Sequence, residues 1–67
     1  MDKALLRSVM VLHGDTNKTL AEYLEISERS LSAKINENNS QFVQREIVAI
    51  KNRYNLSDDM VVRIFLN

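Results

Sequence analysis

Two apolar stripes of helical spacing, with six residues between them, lie near the middle of the chain: Leu20, Ala21 and Leu24, then Leu31 and Ile35. Residues three and four apart share a face at 3.6 residues per turn, so each stripe predicts a short helix with one inward side. The three residues that separate the two helices are Glu25-Ile26-Ser27. A link this short joins two helices at a steep angle, and Ile26, apolar in a polar link, is the plug that such a crossing needs. Ser27 has the side-chain oxygen to cap a helix over 28–36, and Asp15 or Thr16 to cap one over 17–24. Whatever else the chain forms must cover the apolar backs of this pair.

The flanks supply three more helices. Asp2 caps a segment over 3–13, with Leu5, Leu6, Val9, Met10 and Leu12 on one broad face. Gly14, the single glycine, follows it where a left-handed C-cap is expected. After a polar loop over 37–41, Phe42 is expected to fold back onto the core. A helix over 44–54 then carries Ile47, Ile50 and Tyr54 inward. Val43 offers that helix no side-chain acceptor as a cap. Asn55 suits its C-terminal end, and Ser57 caps a last helix over 58–65, whose Asp58 and Asp59 favour the positive end of the helix dipole. Zero proline agrees with five helices and no strand. The fold class is therefore all-α, one domain over 1–67.

At 67 residues the chain buries only about 60% of its extended surface, so its stability margin is thin. Cysteine is absent and His13 is the lone histidine, which leaves no disulfide, thiolate-metal site or histidine cluster. No nucleophile–histidine–carboxylate set exists, and one glycine cannot make a phosphate-cradling loop, so no enzyme, metal, cofactor or small-molecule ligand is expected. No long apolar run marks a signal peptide or membrane span, and a cytoplasmic location is expected. Nine basic residues balance nine acidic ones. Between Thr16 and Tyr54 the count is six to five in favour of basic, which permits nucleic-acid binding without arguing for it.

The run Leu20-Ala21-x-x-Leu24-x-Ile26-Ser27-x-x-x-Leu31-Ser32, followed by Lys34-Ile35-Asn36, resembles the DNA-binding domain of the Cro/C1-type (Xre-like) phage and prophage repressors. Phe42, Ile47, Ile50, Tyr54-Asn55-Leu56-Ser57 and Asp58-Asp59 are similar as well, so the likeness spans Leu5 to Phe65. It implies a five-helix lambda-repressor-like domain containing a helix-turn-helix, with the 28–36 helix entering the major groove and the 17–24 helix lying across it. Base contacts would fall to Glu28, Arg29 and Ser32, with Ala33 against a thymine methyl. Phosphate contacts would fall to Asn17, Lys34, Asn38 and Asn39. Three departures from the pattern occur: Glu25 replaces a common glycine, Asn17 a glutamine, and the loop Glu37-Asn38-Asn39 lacks the usual glycine–basic pair.

Each of these residues also has a plainer role. Arg29 could pair with Glu25 one turn back, Glu28 could serve only the helix dipole, and Ser32 could be an idle surface serine. Arg45, Lys51 and Arg53 are read as solvated surface charges. In the run Val61-Val62-Arg63-Ile64-Phe65-Leu66 apolar residues occupy more than one face, so Ile64, Phe65 and Leu66 are expected to form a homodimer patch suited to two inverted half-sites. The alternative to a double-stranded DNA-binding regulator is a helical protein-interaction module, antitoxin-like or anti-regulator, that kept the fold without strong DNA binding. Neutral charge and Glu28 are what favour it.

Overall fold

Four of the five helices begin at a side-chain oxygen, and the fifth begins at a borrowed carboxylate. The structure, a computed structural model, describes residues 1–66. In α1 (Lys3–Leu12) the Asp2 carboxylate accepts from the Leu5 N–H at 3.0 Å. In α2 (Asn17–Leu24) Thr16 and Thr19 cap each other's backbone reciprocally, at 2.9 and 3.3 Å. Ser27 and Ser57 cap α3 (Glu28–Ile35) and α5 (Asp58–Phe65). At α4 (Gln44–Tyr54) Val43 has no acceptor of its own, but Glu46 reaches back to accept from the Val43 N–H at 3.0 Å, half of a capping box. No strand occurs among the described residues.

The ends match the expected chemistry with small shifts. α1 stops at Leu12 and α3 at Ile35, one residue earlier than the periodicity suggests, with His13 and Asn36 as the caps. Gly14 is left-handed at φ 74°, and Asn55 takes the same conformation after α4. Glu25 closes α2 at φ 60°, ψ 39°, a left-handed position that a β-carbon disfavours.

Helices of eight to eleven residues are marginal alone, so their stability comes from shared burial. Every helix supplies at least one fully buried side chain: Leu6, Leu20, Leu31 with Ile35, Ile50 and Ile64. Each contributes about 1.5–3 kcal/mol relative to exposure. Ala21 is buried between Leu20 and Leu24, Ile26 and Phe42 pack on the core's edge, and Phe42 meets Phe65 edge-on at 5.5 Å.

Two expectations are corrected here. Leu12 is 80% exposed, because α1 turns only Leu6, Val9 and Met10 fully inward and leaves Leu12 and Val11 on its outer side. Ile64 is wholly buried within its own chain, so its side chain is not available to a dimer surface. Phe65 is half-buried against the same core, and Leu66 alone of the three stands open.

Candidate nucleic-acid interface

α3 packs its Leu31–Ile35 side on the core and against α2, which settles where its other residues lie. At about 100° per residue, Glu28, Ser32, Asn36, Arg29 and Ala33 fall within one arc of about 140°. Glu28, Arg29 and Asn36 on that arc are exposed, and Ser32 and Ala33 are half-exposed. The four residues assigned to base contact thus share one accessible strip. Arg29 makes no ion pair among the described residues, so its plainer role as a partner of Glu25 is not what the structure has.

The assigned backbone-contact residues divide. Asn17 opens α2, half-exposed, while Asn38 and Asn39 stand exposed in the loop after α3. That loop is held by the Asn38 N–H bonding to Ala33 O at 2.9 Å and by left-handed turns at Glu37 and Asn39. Lys34 is different, being engaged within the protein itself. Its ammonium lies 3.0 Å from Glu46 Oε1 and 3.2 Å from the Gln41 carbonyl, with the side chain only 14% exposed. On the helix wheel Lys34 lies about 100° beyond Ala33 and only about 60° from the buried Leu31, outside that arc. It braces α3 against the start of α4. Burial pushes the Glu46 carboxyl up, but the bonds from Val43 N–H and the Lys34 ammonium outweigh it and leave the carboxyl below its ordinary value.

No family profile, curated protein or solved structure matches the chain.

Two of the supposed solvated cations are likewise engaged. Arg53 pairs with Asp15, and Lys51 pairs with Asp58; Arg45 is exposed and unpaired among the described residues. Sequence reasoning also passed over Lys3. Its ammonium donates to Asn36 Oδ1 at 3.3 Å, joining α1's first residue to the far end of α3's outward strip. Asn36 in turn donates to Ser32 O at 3.0 Å and approaches Ser32 Oγ at 3.4 Å. The available signal was a lysine at a helix start, where the dipole disfavours a cation. Among the described residues no group of three or more potential ligands is placed to hold a metal. No helix among the described residues is long and apolar enough to cross a membrane.

Proposed function

We propose that the protein is a sequence-reading regulator that binds double-stranded DNA, a Cro/C1-like repressor of phage or prophage origin acting in the cytoplasm. The α2–turn–α3 unit is its helix-turn-helix within a lambda-repressor-like domain. The observation that carries this reading is Arg29, exposed and in no ion pair among the described residues, on a polar arc of α3 and turned about 160° from the buried Leu31. A major groove about 12 Å wide admits such a helix, and an arginine there bonds guanine O6 and N7 together, worth about 1–3 kcal/mol of discrimination. Glu28 accepts from cytosine N4, Ser32 reaches a base edge, and Ala33 meets a thymine methyl. Asn17, Asn38 and Asn39 position the domain on phosphates. The protein acts as a homodimer on inverted half-sites, which multiplies two modest contacts into one stronger one.

Specificity and affinity come from different residues, so one experiment separates this reading from its rival. Duplexes retained from a random pool at low salt should share an inverted repeat, and Arg29→Ala should relax one position in each half. Affinity should fall with salt at a log–log slope of about −4 to −5 for four to six phosphate contacts. The rival is a helical protein-interaction module, favoured by the engagement of Lys34 with Glu46 on the protein itself. It predicts no duplex retained even in dilute salt, an outcome that ends the DNA reading.

A further inference from the structure

With Lys34 turned inward, the C-terminal end of the α3 strip lacks the cation assigned to it. We infer that Lys3 supplies that cation, gripping a phosphodiester of the DNA duplex from α1 while Asn36 holds it in position; the inference rests on the DNA-binding reading. Three observations converge on Lys3. Its ammonium is bonded to the amide oxygen of Asn36, which leaves its other two protons for a ligand, and it pairs with no carboxylate among the described residues. Asn36 is itself fixed to α3 through Ser32, so the charge is held beside the strip rather than swinging on a free side chain. Lys3 also stands at the first residue of α1, where the helix dipole opposes a cation and no acidic residue occupies the first turn. Its charge there opposes the dipole of its own helix, and such local conflicts are expected at functional positions.

The backbone around Lys3 is anchored. The Asp2 N–H donates to Ile64 O at 2.7 Å, and the Asp2 carboxylate caps α1. Glu37, a carboxylate on this corner that would repel phosphate, is neutralised by the Met1 ammonium at 2.5 Å. A phosphate beside Lys3 therefore meets a positive charge tethered to Asn36, the residue from which the loop carrying the uncharged donors Asn38 and Asn39 departs.

The test is the salt dependence of duplex binding, followed by fluorescence anisotropy on a fixed labelled duplex, for the wild-type chain and three variants. Lys3→Gln should shallow the log–log slope by about 0.9 and weaken binding about eightfold near 0.1 M salt, equally on all sequences. Lys3→Arg should restore the slope. Lys34→Met, checked for folding by its melting curve, should leave the slope unchanged. Should Lys34→Met not fold, the two Lys3 variants still decide. Wild-type binding with an unaltered slope in Lys3→Gln overturns the role of Lys3 and leaves DNA binding standing. A shallower slope in folded Lys34→Met returns the contact to Lys34 and overturns the inference. No binding by the wild-type chain removes the underlying reading, and this inference with it.

Discussion

Arg53 of α4 lays its guanidinium across both oxygens of Asp15, Nε to Oδ2 at 2.7 Å and Nη2 to Oδ1 at 2.8 Å, thirty-eight residues away in sequence. Tyr54 donates to the same carboxylate at 2.5 Å and Thr19 at 2.7 Å, while the Arg53 guanidinium lies over the Tyr23 ring at 4.5 Å. One carboxylate thus fastens the end of α4 to the start of α2, the element that carries α3. The angle at which the candidate reading helix is presented depends on this clasp.

Arg53's paired bonds hold the Asp15 carboxyl well below the usual carboxylate range; burial opposes them, and Tyr54 and Thr19 reinforce them. The unfolded chain protonates Asp15 near pH 4, so below that it binds a proton the folded chain resists. The clasp's stabilisation is therefore complete above about pH 4 and is lost as pH falls towards the lowered folded value. Asp15→Asn should cost about 2 kcal/mol at neutral pH, as for a hydrogen bond to a charged group. Urea midpoints measured from pH 6 to pH 2 should fall less in the variant than in the wild type. Parallel decline of the two would show that other carboxylates set the acid limit.

Glu25 makes the opposite kind of prediction. Its left-handed backbone is a strain that glycine does not feel, and its side chain makes no ion pair among the described residues. Glu25→Gly should stabilise the domain by about 1 kcal/mol, read as a higher urea midpoint with an unchanged slope. An unchanged or lowered midpoint would mean that the entropy glycine adds to the unfolded chain outweighs the relief.

The turn around Glu25 was legible in sequence because its signals are local: capping serine, apolar plug, and stripes of fixed period. The same holds for Gly14, Asn55 and Ser57, whose conformations follow from their own side chains. Lys34 was not legible as a brace, because Glu46 lies twelve residues off across a loop whose path no local pattern fixes. Its position on the helix wheel, turned from Arg29, was the one available warning. Asp15 with Arg53 and Lys3 with Asn36 escaped for the same reason, being pairs made by tertiary contact between helices. Leu12 and Ile64 were misassigned because a stripe wider than one contact face does not say which edge is buried.

Glu46 joins two of these long-range roles in one nearly buried side chain. Glu46→Gln keeps an acceptor for the Val43 N–H but loses the charge facing Lys34, and should cost about 1 kcal/mol. Glu46→Ala removes the α4 cap as well and leaves the Lys34 ammonium with only the Gln41 carbonyl, for about 2–3 kcal/mol. Denaturant titration of both variants checks the order. Equal losses would mean that the cap contributes nothing beyond the ion pair.

Self-association is the remaining prediction, and the structure narrows where it can arise. With Ile64 in the core and Phe65 packed on Phe42, the C-terminal apolar surface left open is Leu66 with Val62 one turn before it, 73% and 50% exposed. Leu5 of α1 borders the same depression. In a two-fold pair each such residue is buried twice, so a loss of about 1.5 kcal/mol per copy doubles. Leu66→Ser should then raise the monomer–dimer midpoint about a hundredfold in sedimentation equilibrium, with the melting temperature of the monomer preserved. Ile64→Ala should do the reverse, lowering folding stability by about 2–5 kcal/mol whatever the protein concentration. A wild-type chain that stays monomeric at high concentration, or a Leu66→Ser chain that associates as well as the wild type, would move the dimer contact off this surface.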